Sequence, residues 1–348
     1  MTHDEPGATA WVWHGGTDFR PTKFPLPSPG PGETLVRITA ATVCGSDRHT
    51  VSGRRSAACP SVLGHEGVGV VVSTRGGRTV DGMPLAPGAR VVFGVTRACG
   101  ECALCQRGLS AKCESVQKVG HEPFDGEWPL SGTYASHILL RPGQAVVTVP
   151  PEVTDGPAAT AGCAVATVMA MLERAGDLSG RRVLVNGLGM LGLVAVAAAR
   201  ERGADHVLAL DFNSERRALA HRLGAVAASP AEGATGTVDV ALELSGAPSG
   251  VSTCLAALGI GGTAVLAGSV APAGAVDVDP EWIVRGWRTI TGVHNYEPRH
   301  LQQAVDFLTR DPHGLPWEEI IGGPVPVGQL AHEFSGHDPG RLRTMVVM

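Results

Sequence analysis

Arg182-Val183-Leu184-Val185-Asn186-Gly187-Leu188-Gly189-Met190-Leu191-Gly192 is the stretch that decides how this chain folds. A short β-branched run, a glycine-rich turn and an alanine-rich stretch to Arg202 read as strand, tight turn and helix. In such a unit Gly187 permits the turn, Gly189 lets a pyrophosphate approach the backbone, and Gly192 lets the helix pack closely on the strand. The helix start then turns unpaired N–H groups toward the phosphates. Asp211 follows the next expected strand, His206–Leu210. A carboxylate there holds ribose hydroxyls and repels a 2′-phosphate, so the expected coenzyme is NAD rather than NADP.

Outward from this turn, strand and helix signals alternate. Ser214–Leu223 reads as a helix capped by Ser214, and Val238–Leu242, Thr263–Ala267 and Thr289–Val293 read as further strands. Repeated β-α units imply a parallel, doubly wound sheet, hence an α/β protein. Upstream, Ala158–Ala175 reads as one helix, and before Pro150 the texture differs. Val-rich runs at Thr34–Ile38, Val68–Val72, Arg90–Phe93 and Ile138–Leu140, broken by Gly and Pro, suggest a barrel-like β domain. A helix at His300–Leu308 and a strand at Arg343–Val347 close the chain. The length of 348 residues suits two domains, and 43% hydrophobic residues suffice for two cores. The expected division is residues 1–152 with 297–348 against residues 153–296.

A net charge of −5 gives no reason to expect nucleic acid or a membrane surface as a partner. The start of the chain has no basic-then-apolar leader, and a cytoplasmic location is expected. Five of the eight cysteines lie between Cys59 and Cys113. Cys99, Cys102, Cys105 and Cys113 can close a tetrahedron around zinc in a lobe near residues 95–117, an iron–sulfur cluster being the competing reading. Four protein ligands leave no open position, so this site should stabilise and not react. Cys44, His65 and Cys163 each have a plain structural reading when taken singly. Together, two Cys and one His make a three-ligand set with an open fourth position.

Over nearly its whole length the sequence resembles the zinc-dependent medium-chain alcohol dehydrogenases. The pieces come in the family's order: Cys44-Gly45-Ser46-Asp47-Arg48-His49, Gly64-His65-Glu66, the four-cysteine lobe, Cys163, the glycine turn, Asp211, and Arg343-Thr344 before the last strand. The resemblance implies a GroES-like β-barrel catalytic domain beside a Rossmann domain, with two zinc ions per chain. It implies catalytic zinc on Cys44, His65 and Cys163, Glu66 as an outer or transient ligand, and Asp47 orienting His65. It implies a proton path through Ser46 to His49. It places Leu191 behind the nicotinamide, Arg216 near the adenosine ribose, Arg343 on the pyrophosphate and His294 near the nicotinamide. Gly45 departs from members that carry a basic pyrophosphate contact there, which implies weaker coenzyme binding.

The substrate is less legible. By the same resemblance Arg55, Trp128 and His294 should face it, offering a cation, an indole N–H and an imidazole. The local sequences Leu130–Tyr134 and Gly292–Tyr296 are similar to a bacterial subgroup labelled phosphonate-associated, and cyclitol and polyol dehydrogenases are also similar. The expectation is an alcohol with several hydroxyls or an anionic head. The alternatives are a simple apolar alcohol, a zinc-free reductase, or a non-catalytic zinc- and NAD-binding protein. A homodimer or homotetramer is expected. Cys59 and Cys254 are expected in the core.

Overall fold

The computed structural model describes residues 7–230, 237–311, 313–336 and 341–348. Residues 1–6, part of the stretch read as lacking a leader, lie outside the described residues. The chain divides into two compact units. The first runs up to Ala166 and takes in Asn295–Thr309 and Trp317–Met348; the second is Thr167–His294 with Arg310–Pro316. The boundary therefore falls later than residue 152, and Cys163 stays with the β-rich unit.

In the first unit a curled sheet runs in the order Ile321–Pro326, Arg343–Val347, Thr34–Thr42, Gly67–Thr74, Arg90–Arg97 and Gln117–Lys118. His137–Leu140 joins it on Thr34–Thr42, and Gln144–Thr148 on Arg90–Arg97. Alternating inward positions such as Val36 and Ile38, and Val91 and Phe93, build its core. Trp128 lies in that core, 1% exposed, and its indole N–H donates to the Leu139 carbonyl at 2.7 Å. The expectation that Trp128 faces a substrate is thereby corrected: its one donor is committed inside the barrel.

The helix expected at Ala158–Ala175 begins earlier and is not uniform. Asp155–Thr160 is α-helical, Ala161–Val165 widens into one π turn, and Ala166–Ala175 resumes the α-helix. Asp155–Ala175 is long and apolar enough to cross a membrane, yet most of its most apolar stretch is buried inside the protein. It is a core helix by burial.

In the second unit all six strands are parallel, in the order Val226–Ala228, His206–Leu210, Arg182–Asn186, Val238–Glu243, Leu258–Leu266, Thr289–Gly292. Numbered along the chain this is 3-2-1-4-5-6, the doubly wound arrangement. The order reverses at Arg182–Asn186, so the glycine turn that follows lies at the switch point where such sheets bind ligands. The helix Ser214–Arg222 is capped by Asn213, whose side chain accepts from the Arg216 N–H at 3.0 Å, and not by Ser214. Asn213 sits one residue earlier with extended backbone, as a capping residue must.

Candidate metal centres and coenzyme turn

The glycine turn can be tested atom by atom. Gly187 has φ +94°, and a Cβ there would lie 2.6 Å from the Ser245 nitrogen. A Cβ on Gly192 would lie 2.0 Å from the Gly187 carbonyl oxygen. A Cβ on Gly189 would meet nothing within 4 Å. Gly187 and Gly192 are thus demanded by the fold, and the open side of Gly189 is where a ligand approaches the backbone. Asp211 bends over this turn: its carboxylate accepts from the Leu188 N–H at 2.7 Å and the Asn213 N–H at 2.8 Å. Arg216 lies 3.9 Å from the same carboxylate. Leu191 is half-buried in the first turn of the helix, and His294 is exposed just after the last strand.

In the first unit, Cys99, Cys102, Cys105 and Cys113 bring their sulfurs within 4.8 Å of one another. Measured separations are 3.5 Å for Cys99 to Cys113, 3.9 Å for Cys99 to Cys105 and 4.0 Å for Cys102 to Cys113. A tetrahedron with zinc–sulfur arms of about 2.3 Å has edges of about 3.8 Å, so the set fits that ion. Cys113, bonded by the Cys99 N–H, is pulled down to about 6, whereas burial pushes Cys105 up to about 12. Glu297 clamps the lobe, accepting from the Ser110 and Ala111 N–H groups at 3.1 and 3.2 Å and from the Ser110 hydroxyl.

The second cluster is Cys44, His65, Glu66 and Cys163, again within 4.8 Å of one another and mostly buried. Three separate segments supply it. Cys44 precedes the helix Gly45–Val51, His65 and Glu66 precede the strand Gly67–Thr74, and Cys163 sits in the π turn. Gly162 beside it cannot be larger, because a Cβ would lie 2.4 Å from the Phe93 carbonyl oxygen. The Gly162 carbonyl, displaced by the π turn, accepts from the Tyr296 hydroxyl.

Asp47 orders one side of the cluster. It meets His65 Nδ1 at 3.1 Å and accepts from the Tyr134 hydroxyl and the Cys44 N–H, both at 3.0 Å. That contact puts the proton of neutral His65 on Nδ1 and leaves Nε2 as the ligating atom. Burial pushes His65 toward neutrality, but Asp47 and Cys44 outweigh it and hold the ring well above its usual value. A hydrogen bond from Cys163, helped by Arg343 and His65, holds Cys44 well below the usual thiol range, and Cys163 is pushed up in turn. Metal ligation requires deprotonated thiols, and the lowering at Cys44 is in the direction a cation site needs.

Arg343 is drawn into the same cluster. It is 6% exposed and grips Glu66, through Nε at 2.7 Å and Nη2 at 3.0 Å. Nη1 donates to the Leu342 carbonyl and Nη2 lies 3.3 Å from Cys44 Sγ. Three of its five N–H groups thus serve the metal cluster and one the backbone. Burial pushes Glu66 up and Arg343 pulls it partly back; the two-point geometry is that of a charged pair. Thr42 completes it with a 2.6 Å hydroxyl bond to Glu66.

Ser46 Oγ lies 3.3 Å from His65 Nε2, beside the donor atoms. His49 follows three residues later on the same short helix, half-buried. Burial, then Arg54, pushes it below its usual range. Arg55 is half-buried nearby. His121, which the sequence reading left without a role, packs its ring 5.9 Å from that of His65. Gly45 has open space where a side chain would stand. Cys254 is buried as expected, whereas Cys59 is exposed.

A chain with a closed four-thiolate site, an open Cys2His site and a dinucleotide turn belongs to the class of metal-dependent nicotinamide oxidoreductases. Comparison with known proteins narrows this. Residues 30–151 match the alcohol dehydrogenase GroES-like domain, and residues 191–310 match the zinc-binding dehydrogenase domain. The 5-exo-hydroxycamphor dehydrogenase of Pseudomonas putida is 30% identical over 86% of this chain and 87% of its own. The L-threonine 3-dehydrogenase of Deinococcus radiodurans is 29% identical over 100% of this chain and 97% of its own. An alcohol dehydrogenase from Thermotoga maritima superposes with a TM-score of 0.88 at 26% identity, covering 98% of this chain and 99% of that one. The chain belongs to the zinc-dependent medium-chain alcohol dehydrogenase family. It is an oxidoreductase acting on CH–OH groups with a nicotinamide coenzyme.

Proposed function

We propose that this enzyme oxidises an alcohol bearing further polar groups to the carbonyl, with NAD as the coenzyme and two zinc ions per chain. The observation that carries this reading is the Cys44–His65–Cys163 set, mostly buried, with Glu66 beside it paired to Arg343. Cys44, His65 and Cys163 would hold zinc, which would supply Lewis acidity toward an alcohol oxygen, and a nicotinamide coenzyme would supply the hydride acceptor. Asp47 keeps His65 in the ligating tautomer and aimed at the cluster. Arg343 holds Glu66 as a charged neighbour of the ligands. Ser46, beside the donor atoms, receives the substrate proton, and His49 takes it onward toward solvent as a neutral base. Asp211 selects NAD by its charge. With Trp128 in the barrel core, the polar character near the metal cluster rests on His121, whose ring lies 5.9 Å from that of His65. L-threonine, the substrate named for one relative, is a polar alcohol of this kind. Two cysteine-rich sets arranged as metal ligands suit a reducing cytoplasm.

The test joins metal analysis to kinetics. Two zinc ions per chain are expected, and Cys44→Ser should lose turnover by about a thousandfold or more while retaining the lobe zinc. Asp211→Ser should narrow the preference for NAD over NADP. A native preference for NADP, or full turnover by Cys44→Ser, would overturn the reading.

A further inference from the structure

Tyr296 and Glu297 are neighbours in the chain, and each holds a different cysteine cluster. Both belong to the β-rich unit, which takes in Asn295–Thr309. Tyr296 is buried, and its hydroxyl donates to the Gly162 carbonyl, beside Cys163 in the π turn. The same oxygen accepts from the Val95 N–H at 3.4 Å. Two glycines make room for it: a Cβ on Gly94 would lie 3.8 Å from it and a Cβ on Gly162 4.0 Å. Val95 belongs to the strand Arg90–Arg97, which leads through Ala98 into Cys99, the first ligand of the lobe. One phenol oxygen thus joins the turn that carries Cys163 to the stem of the lobe.

Glu297 grips the lobe from its other end. Oε2 accepts from the Ser110 N–H and hydroxyl, and Oε1 from the Ala111 N–H. These donors open the short helix Ser110–Lys112, and the Cys113 N–H donates to the Ser110 carbonyl at 3.0 Å. The last lobe ligand therefore hangs on the turn that Glu297 holds. The backbone of Glu297 is fixed as well. Its N–H donates to His300 Nδ1 at 3.0 Å, and the His300 N–H donates to its carbonyl at 2.9 Å. His300 is buried in the helix Pro298–Arg310, which turns Leu301, Ala304, Val305 and Phe307 inward. With its backbone held by His300 and both carboxylate oxygens engaged, Glu297 is a strut between that helix and the lobe. Tyr296, one peptide away, moves with it.

We infer that Tyr296 and Glu297 couple the four-cysteine lobe to the Cys44–His65–Cys163 cluster, so that an ordered lobe positions Cys163 and sets how firmly that cluster holds its metal. Both are positioning residues, since neither belongs to the cluster itself. The lobe then does more than stabilise its own loop. Coupling between two binding sites is reciprocal and commonly amounts to a factor of about 5–150 in affinity, most of which appears in the rate of release. The inference rests on the reading that both clusters hold a metal ion, and metal content tests that reading separately.

The test uses the full chain with cobalt at the Cys44–His65–Cys163 cluster and zinc in the lobe. Loss of the visible cobalt absorption reports the first site, and a chromophoric zinc chelator reports the second. Glu297→Gln sets an amide NH2 against one of the lobe N–H groups, and Ser110→Ala removes the hydroxyl bond while leaving both linking residues in place. Glu297→Gln should release cobalt about tenfold faster and Ser110→Ala about threefold faster, and both should also speed release of the lobe zinc. Tyr296→Phe cuts the link at its far end. In that background neither substitution should accelerate cobalt release further, although both should still loosen the lobe. Cobalt release unchanged by both substitutions would overturn the coupling. So would acceleration by the same factor with and without the Tyr296 hydroxyl, which is what general destabilisation gives. A chain that takes up one metal ion instead of two would overturn the two-metal reading and the coupling with it.

Discussion

His49 and Arg343 are single side chains whose surroundings can be tested by substitution. In the proposed proton path His49 acts as a base and must be neutral, so alcohol oxidation should fall as pH drops through its pKa. Burial and the Arg54 charge hold that pKa below the usual histidine value. Removing a nearby cation makes protonation easier and raises the pKa. Arg54→Gln should therefore move the acid limb of kcat/KM to higher pH, more at low ionic strength than at high, since exposed Arg54 is screened by salt. A pH–rate profile at two salt concentrations checks this; an unmoved limb would remove His49 from the path. Arg343 acts by burial. Arg343→Met would leave Glu66 buried with its charge uncompensated, at a cost of about 3–5 kcal/mol in denaturant unfolding. Adding Glu66→Gln should recover most of that loss, because the orphaned charge is gone.

Among the elements, the π turn Ala161–Val165 stands out. Widening one turn displaces the Gly162 carbonyl and aims Cys163 at a cluster whose other members come from distant segments. Tyr296 satisfies that carbonyl and also accepts from the Val95 N–H at 3.4 Å, tying the turn to the barrel. Tyr296→Phe should loosen the ligand more than the fold. The expected outcome is catalytic zinc lost to a chelator about tenfold faster, with lobe zinc unchanged. Time-resolved metal release with two spectral probes distinguishes this from general destabilisation, which would release both ions together.

For the whole molecule, the strand Thr289–Gly292 is an edge of the parallel sheet, a liability unless covered. Around it Trp287 is 84% exposed, Ile260 82% and Val284 70%. Trp287 also adopts a left-handed backbone, φ 51° and ψ 38°, at a helix end where glycine is the ordinary choice. A large indole kept exposed in a conformation that disfavours it fits a surface that meets a second copy of the chain. We expect a homodimer or a homotetramer built on it, and Trp287→Asp with Val284→Asp should give monomers by light scattering. A native chain that is already monomeric and active would remove the argument.

Local patterns alone carried much of this. Arg182–Asn186, His206–Leu210 and Arg343–Val347 are strands with the bounds their residues suggest, because β-branched runs between turn residues are local signals. The glycine turn and the four cysteines were legible for the same reason: each site is built within a few dozen residues, so spacing encodes geometry. The boundary at Ala166, the cap at Asn213 and the π turn were not legible, since they depend on which backbone groups find partners across the fold. The burial of Trp128 and the Glu66 partner of Arg343 escaped the sequence for one physical reason. An indole or a guanidinium goes where its donors are satisfied, and Leu139 and Glu66 are neighbours only after the barrel closes. Tyr296 and His121 acquire their meaning in the same way. The sequence by itself determined the fold class and the ligand types; tertiary structure decided which charges are neutralised within the chain, as Glu66 is by Arg343, because that balance depends on distances no linear spacing contains.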